Sequence, residues 1–261
     1  MKNRIVAVIP ARMGSSRFPG KPLARLLGRP MIEHVLKRAE MCRKLNAVYV
    51  ATCDEEIKRT VETLGSRVIM TSTSHDSASD RVAEAVEQID ADIVVMIQGD
   101  EPMIRPEMIG VAIDSIVENE SIDCVNLVCR IKRREEYLDR NTIKVVMNTR
   151  RQALYFSRAP IPAINAAALE DTAVFKQVCV IPFRRDFLRK FTSWPPTVLE
   201  QAESIDMLRI LEHGERVHLV ETNIETHSVD TPEDLRLVEC RMQNDPLIRL
   251  YAAAAVSAAP L

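Results

Sequence analysis

The sequence lacks several features that would assign it to a common class of protein directly. No apolar run approaches the ~20 residues of a membrane-spanning helix, and residues 1–4 lead into a predicted strand without a signal-like segment. The six cysteines are scattered and form no Cys-x-x-Cys pair, which is typical of a reduced protein without a disulfide framework. A net charge of −2 argues against nucleic acid or an anionic membrane as the main partner. We therefore expect a cytoplasmic protein that binds neither nucleic acid nor membrane.

Familiar nucleotide-binding and catalytic motifs are also missing. Gly14 and Gly20 are separated by five residues where a P-loop has four, and Pro22 replaces the hydroxyl that would hold magnesium. The three closely spaced glycines of a dinucleotide-binding fingerprint are absent. No serine lies in a nucleophile elbow, and the histidines form no metal-binding pattern.

What is present predicts an α/β protein with a sizeable core. The 261 residues are 46% hydrophobic and 28% charged, which suits one large domain or a domain with a small appendage. Apolar runs separated by helical patterns predict βαβ units and a mostly parallel sheet. Strands are predicted at 4–9, 47–52, 67–71, 92–97 and 122–130. Helices are predicted at 31–41, 54–64, 79–89 and 107–119.

The pattern changes after residue 130. Strands at 141–148 and 152–157 lie close enough in sequence to predict a hairpin-like insertion, followed by a loop of small residues at 163–171. The predicted elements of the remaining chain are a strand at 174–183, helices at 185–192 and 198–213, a strand at 216–223 and a helix at 231–243. We assign no chemistry to the Ala-rich tail at 244–261.

The loop at 10–22 carries the strongest functional signal. It leaves the carboxyl end of a buried strand, where open α/β sheets bind their ligands. It combines two glycines, two hydroxyls and three fixed cations: Gly14, Gly20, Ser15, Ser16, Arg12, Arg17 and Lys21. Free backbone amides together with cations suit a polyphosphate. We therefore predict a phosphate-binding loop rather than a solvated basic turn.

A second signal ends the predicted strand at 92–97. Asp100 follows this strand closely and would be a natural Mg²⁺ ligand beside a phosphate loop. Gln98 offers both a donor and an acceptor to the edge of a base. A role for Asp100 and Glu101 in capping the next turn is equally compatible with the local sequence.

Two further motifs precede predicted helices. Thr231 or Asp230 can cap the helix at 231–243, and capping explains most of the motif at 229–235. One acid of this motif is not needed for capping, which allows Asp230 to be a second metal ligand. Ser77 or Ser79 can cap the helix that begins near residue 80, which would put Arg81 in its first turn. The local sequence is compatible with a cap and with a ligand contact here.

Taken together, these motifs resemble the sugar-nucleotide cytidylyltransferases, most closely the 3-deoxy-manno-octulosonate (KDO) cytidylyltransferase family. The shared segments are 9–23, 49–52, 98–102, 143–146, 153–158 and 229–235. The resemblance implies a three-layer α/β/α nucleotidyltransferase fold over 1–243, with a small β-rich insertion at about 131–184 for dimerisation and sugar contact. It also implies a homodimer.

The resemblance implies transfer of CMP from CTP to the anomeric hydroxyl of a 3-deoxy-ulosonic acid, with Mg²⁺ as cofactor, in lipopolysaccharide biosynthesis. By position in the family motifs, the catalytic residues would be Lys21, Asp100 and Asp230. The two acids would hold the metal, so the resemblance favours Asp230 as a metal ligand over Asp230 as a helix cap. The nucleotide-binding residues would be Pro10, Ala11, Arg12, Gly14, Ser15, Lys21, Arg81 and Gln98. The sugar-binding residues would be Arg158, Gln177 and Asp206.

The sequence departs from this family in the sugar half. The family usually has a histidine and a tyrosine where this chain has Gln177 and Ile181, and a Glu-Gln pair where it has Asp206 and Met207. We predict that Gln177 and Ile181 share one face of the 174–183 strand, because residues i and i+4 of a strand do. A sialic-type acid, an 8-amino ulosonic acid, or a non-catalytic nucleotide-binding role therefore stays open as an alternative.

Overall fold

A computed structural model describes residues 3–15, 17–164 and 172–252. Three parts of the sequence predictions lie outside these ranges: the Ser16 hydroxyl, most of the loop at 163–171, and the end of the Ala-rich tail. In the described ranges, no helix has the length and apolar character needed to cross a membrane.

The order of elements follows the predicted alternation of strands and helices. The strands are β1 Ile5–Ala11, β2 Arg25–Leu26, β3 Arg29–Pro30, β4 Ala47–Thr52, β5 Arg67–Met70, β6 Ile93–Ile97, β7 Val125–Arg130, β8 Lys144–Met147, β9 Ala153–Ser157, β10 Phe175–Val178, β11 Val180–Arg184 and β12 His218–Thr222. The helices are α1 Met31–Glu40, α2 Glu55–Thr63, α3 Ala78–Val86, α4 Pro106–Glu118, α5 Arg134–Leu138, α6 Arg185–Thr192, α7 Val198–Glu203, α8 Met207–Glu212, α9 Pro232–Met242 and α10 Pro246–Ala252.

The main sheet has the strand order β11-β6-β1-β4-β5. Strands β6, β1, β4 and β5 are parallel, and β11 runs antiparallel to β6. In the register of the sheet, Val8 of β1 lies beside Met96 of β6. The carboxyl ends of β1 and β6 therefore lie side by side, because the two strands are parallel neighbours in the sheet.

Helices cover both faces of this sheet. Along β1, Ile5, Ala7 and Ile9 belong to a core cluster with residues of α1, α2 and α4. Val6 and Val8 belong to a second cluster with residues of α3, α6 and α8. Alternate residues of a strand point to opposite faces, so both faces of β1 are buried and the predicted three-layer α/β/α arrangement is confirmed.

A second sheet has the order β12-β7-β10-β8-β9 and includes the two strands predicted as an insertion. The prediction that 122–130 joins the main parallel sheet is wrong. Strand β11 takes the position beside β6, and β7 pairs with β12 and β10 instead. The two sheets remain connected by a bridge between Cys124 and Phe183.

Two elements predicted as continuous are broken. The predicted strand at 174–183 is split at Cys179 between β10 in the second sheet and β11 in the main sheet. Its apolar sequence carries no local signal for the break, because the break depends on which sheet each half joins. The predicted helix at 198–213 is split into α7 and α8 at Ser204, which has φ +54°.

Part of the sequence assigned to the tail forms α10, which packs beside α1. Asp245 accepts a hydrogen bond from the buried Arg38 at 2.8 Å. Buried His34 contacts the hydroxyl of Tyr251 at 2.7 Å and the carbonyl oxygen of Leu26 at 2.7 Å. These contacts give His34 a structural role, and they anchor the end of the described chain to α1.

Candidate active site

The candidate site lies where β1 and β6 end. Gly99, two residues after the end of β6, lies so close to β1 that an added Cβ would be 3.1 Å from the carbonyl oxygen of Pro10. A larger residue would push the two strand ends apart. The glycine therefore keeps the carboxyl of Asp100 beside the loop that leaves β1.

The loop after β1 folds back on itself before Lys21. The amide of Gly20 donates to the carbonyl oxygen of Met13 at 3.0 Å, and Gly20 has φ +73°, a conformation that favours glycine. Asp54, just after β4, accepts a hydrogen bond from the Met13 amide at 2.8 Å. The sequence analysis missed Asp54, although an acid at the carboxyl end of a parallel strand was a signal that could have identified it.

Lys21 lies between the two predicted metal ligands. Its Nζ is 2.8 Å from Asp100 Oδ2 and 3.4 Å from Asp230 Oδ1. The cap of α9 is Thr231, whose hydroxyl accepts a hydrogen bond from the amide of Asp234 at 3.2 Å. Of the two residues that could cap this helix, Thr231 therefore has that role, and Asp230 faces Lys21 instead.

The electrostatics of this group follow from burial and crowding of like charges. Burial raises the pKa of Asp230, and the nearby charge of Asp100 raises it further, against the opposing effects of Lys21 and Arg17. Burial alone would lower the pKa of Lys21, but Asp100 and Asp230 outweigh it, so this pKa is raised. Burial, followed by the charge of Asp100, raises the pKa of Glu101 to about 7.

The donor set at Asp100 and Asp230 fits a divalent magnesium ion. Two partly desolvated carboxylates that repel each other are stabilised by a cation between them. Among the described residues, no group of three or more His, Cys, Asp or Glu side chains could hold a metal. Mg²⁺ is usually held by one or two carboxylates together with water and substrate phosphates, and Asp100 and Asp230 would supply such a pair.

Arg17 connects the loop to the second sheet. Its guanidinium is 3.0 Å from Asp230 Oδ1 and donates to Asn141 Oδ1 at 2.6 Å. The sequence analysis counted Arg17 among the loop cations without giving it a specific role. Its contact with Asn141 spans distant parts of the chain and has no local sequence signal.

A first cavity, which we call the loop cavity, lies between the loop and the start of α3. It is lined by seven of the eight predicted nucleotide-binding residues: Pro10, Ala11, Arg12, Ser15, Lys21, Arg81 and Gln98. Gly14 is not among the lining residues. The side chain of Arg81 is buried and donates to Thr71 Oγ1 at 2.6 Å and to the carbonyl oxygen of His75 at 3.3 Å. Arg81 therefore shapes the wall of this cavity.

A second cavity, which we call the sheet cavity, is lined by all three predicted sugar-binding residues, Arg158, Gln177 and Asp206. Arg158 Nε donates to the carbonyl oxygen of Glu203 at 2.6 Å. Gln177 Nε2 donates to Asn126 Oδ1 at 2.5 Å. The structure thus brings together side chains from three separate segments of the chain.

Asp206 also ties the sheet cavity to α3. Its Oδ2 accepts hydrogen bonds from Ser77 Oγ at 2.8 Å and Ser79 Oγ at 2.7 Å. Ser77 caps α3 by accepting from the amides of Ser79 and Asp80. The capping role considered for this segment therefore belongs to Ser77, and Asp206 holds the Ser77 hydroxyl through a direct hydrogen bond.

The two cavities meet at the centre of the site. Arg17, Gln98 and Asp100 line both of them. Two separate compartments with a shared group of charged side chains can hold two substrates whose reacting atoms meet at Asp100. With the three-layer sheet and the loop after β1, this arrangement defines an α/β nucleotidyltransferase.

Comparison with known proteins identifies the family. The cytidylyltransferase family profile matches residues 6–217. A 3-deoxy-manno-octulosonate cytidylyltransferase of Geobacter metallireducens is 45% identical over 241 residues, which cover 89% of this chain and 95% of that protein. The chain therefore belongs to the cytidylyltransferase family.

Solved structures agree with this assignment. A CMP:2-keto-3-deoxy-manno-octonic acid synthetase complexed with CTP is similar with a TM-score of 0.84 and 40% identity, covering 92% of this chain and 98% of that chain. A 4-diphosphocytidyl-2C-methyl-D-erythritol synthase from Anaerococcus prevotii is similar with a TM-score of 0.64 at 14% identity, covering 94% of this chain and 100% of that chain. The second likeness supports the fold alone.

Proposed function

We propose that this protein transfers CMP from CTP to the anomeric hydroxyl of a 3-deoxy-ulosonic acid, KDO or a close relative of it, and releases pyrophosphate. The observation that carries the proposal is the meeting of the loop cavity and the sheet cavity at Asp100. The activity named for the Geobacter metallireducens relative supports KDO as the acceptor.

In this proposal CTP occupies the loop cavity. Arg12 and Lys21 would contact the triphosphate, and Gln98 would recognise cytosine. Asp100 and Asp230 would hold Mg²⁺, which when bound supplies positive charge to the triphosphate. The contact of Lys21 with both carboxylates supports a role for its ammonium at this charged centre. There the ammonium can stabilise the negative charge that develops on the leaving pyrophosphate.

The acceptor would occupy the sheet cavity, with Arg158 facing its acidic group. Its anomeric oxygen attacks the α-phosphorus in line, so a new oxygen–phosphorus bond forms as the bond to the bridging oxygen of the β-phosphate breaks. The hydroxyl proton is released and pyrophosphate departs. Phosphoryl-type transfer depends mainly on positioning and charge neutralisation. These are the tasks that Arg12, Lys21 and Arg158 would perform.

We extend the proposal to a homodimer built around the second sheet, in the cytoplasm. Leu154 lies on the edge strand β9 and is 60% exposed, which supports a partner on that edge. The six cysteines are all free, which supports a reducing compartment.

The proposal is tested by measuring pyrophosphate release with CTP, Mg²⁺ and a panel of ulosonic acids. We expect release that depends on CTP and on an ulosonic acid, with formation of a CMP-sugar. An Asp100→Asn variant serves as the inactive control, since it keeps the side-chain size and removes the charge. Binding of CTP without pyrophosphate release for any acid on the panel would favour a non-catalytic nucleotide-binding protein.

A further inference from the structure

Lys144, in the middle strand of the predicted insertion, has a role that the assignments above do not explain. Its side chain is fully buried. Its Nζ donates to three backbone carbonyl oxygens, those of Asp139 at 2.7 Å, Thr142 at 2.6 Å and Arg158 at 2.7 Å. An ammonium has three donors, so every N–H of this buried charge is used by main-chain oxygens.

The three carbonyl oxygens belong to two different walls of the sheet cavity. Asp139, Asn141 and Thr142 precede β8 and line the cavity on one side. Arg158 follows β9 and also lines the cavity. The Lys144 ammonium therefore hydrogen-bonds the backbone of both walls, the 139–142 segment and Arg158, and holds them together.

The first of these walls reaches the catalytic centre. Asn141 Oδ1 accepts a hydrogen bond from Arg17 at 2.6 Å, and the same guanidinium is 3.0 Å from Asp230. The second wall carries the guanidinium of Arg158, whose Nη1 donates back to the carbonyl oxygen of Arg140 at 3.2 Å. Movement of the 139–142 segment would therefore displace Arg158 and break the contact of Arg17 with Asn141, while Asp230 would still hold Arg17.

The charges around Lys144 come from these two segments and from α7. Asp139, Arg140, Arg158 and Glu203 act on it, and burial, the largest effect, lowers its pKa to about 8. The charged form is still the one that can satisfy three carbonyl oxygens. A neutral side chain of similar length would leave buried oxygens without partners, and such groups favour local rearrangement.

We propose that Lys144 is a positioning residue for the acceptor, and that its ammonium fixes the 139–142 segment and Arg158 at the sheet cavity. The proposal rests on the proposed function, since the acceptor is the substrate assigned to this cavity. Lys144 does not line either cavity, so it acts through Arg158 and the segment rather than by touching substrate.

The test is a Lys144→Met variant, which has a similar length and no donor. We expect the KM for KDO to rise by about tenfold or more, since small displacements of positioning groups have large effects. We expect the Kd for CTP, measured without acceptor, to stay within about twofold. A Lys144→Gln variant keeps two donors and should show a smaller rise in the same KM, and it carries the test if Lys144→Met does not fold.

Arg38→Met is the matched control, because Arg38 is also a fully buried cation, and it lies on α1 with its guanidinium bonded to the Ile104 carbonyl oxygen. We expect it to lower Tm without raising the KM for KDO. An unchanged KM in both Lys144 variants would overturn the proposal. An equal rise in the KM of Arg38→Met would also overturn it, because the effect would then be general destabilisation.

Hydrogen exchange provides a readout that does not require activity. In Lys144→Met we expect faster exchange of the amides at 139–142 and at Arg158, with no change in the loop at 10–15. Unchanged protection at 139–142 would contradict the fastening role. If the wild-type protein turned over no ulosonic acid, the proposed function would fail, while the exchange measurement would still decide whether Lys144 fastens the two walls.

Discussion

Gln177 and Ile181 line the same cavity although they belong to different sheets. Gln177 lies in β10 of the second sheet and Ile181 in β11 of the main sheet. The chain passes between the sheets at Cys179, whose carbonyl oxygen accepts a hydrogen bond from the amide of Gln98 at 3.1 Å. The prediction that the two residues share one face of a single strand is therefore wrong, because the strand breaks between them, although both side chains line one cavity.

This wall of the sheet cavity leads to a prediction about the acceptor. Ile181 and Met207 present apolar surface, and Asp206 Oδ2 is already bonded to two serines. We expect the enzyme to favour an ulosonic acid whose substituents differ from those of KDO, or to use KDO weakly. The measurement is a comparison of kcat/KM for KDO, its 8-amino analogue and a sialic acid. A site that hydrogen-bonds the hydroxyls of its substrate can discriminate by about 10⁴-fold. A preference of that size for KDO would show that the prediction of a different acceptor is wrong.

The two candidate metal ligands should be needed for turnover and not for folding. We expect Asp100→Ala and Asp230→Ala each to lower kcat by at least about 100-fold, because the charge of the triphosphate would no longer be neutralised. Thr231→Ala is the control for Asp230, since Thr231 caps α9. It should lose about 1 kcal/mol of stability and keep its activity. A near-normal kcat for Asp230→Ala at limiting Mg²⁺ would show that Asp230 is not a metal ligand.

Lys21 should contribute more to the transition state than to binding of CTP. Its ammonium can follow the charge that develops on the leaving pyrophosphate, an interaction that strengthens as the bond breaks. We expect Lys21→Met to lower kcat by at least as large a factor as it raises the KM for CTP. Steady-state kinetics at saturating acceptor provide both numbers. A raised KM with unchanged kcat would mean that Lys21 only binds the ground state.

The contact between α10 and α1 gives a pH dependence of stability with a defined sign. Burial alone would raise the pKa of Asp245, but its hydrogen bond with Arg38 outweighs burial and holds the pKa below the ordinary value of 3.8. The stabilisation is therefore present above pH 3.8 and is lost as the pH falls through the lower pKa of the folded state.

The matching variant is Asp245→Asn. We expect a lower Tm than the wild type near pH 6, and a difference that shrinks as the pH falls below 3.8. Glu62→Gln changes an exposed acid of α2 and should leave Tm unchanged at both pH values. A Tm difference for Asp245→Asn that is the same at low and neutral pH would contradict the ion-pair account.

The nucleotide half of the site was largely accessible from the sequence. The loop at 10–22, Gln98 and Asp100 lie directly after apolar strands, and parallel strands place their carboxyl ends at one edge. Seven of the eight nucleotide-binding residues expected from local pattern and resemblance therefore line one cavity. Asp54 was missed because its role is a contact with the Met13 amide, 41 positions away in sequence.

The acceptor half depended on tertiary structure and was harder to predict. The break at Ser204 lies in a helical run without glycine or proline, and the break at Cys179 lies three residues before Pro182, the one proline of the 174–183 run. They arise because each half packs against a different partner, which no local pattern encodes. Lys144 was visible only as part of a family motif, since its three carbonyl partners come together only in the folded chain.

The central claim is that the anomeric oxygen of the acceptor attacks the α-phosphorus of CTP. The most direct test is ³¹P NMR of the product formed from KDO labelled with ¹⁸O at the anomeric oxygen. We expect the label in the bridge between sugar and phosphorus, seen as an isotope shift of the CMP-sugar resonance, with unlabelled pyrophosphate. A product without the shift, or ¹⁸O in pyrophosphate, would contradict the account.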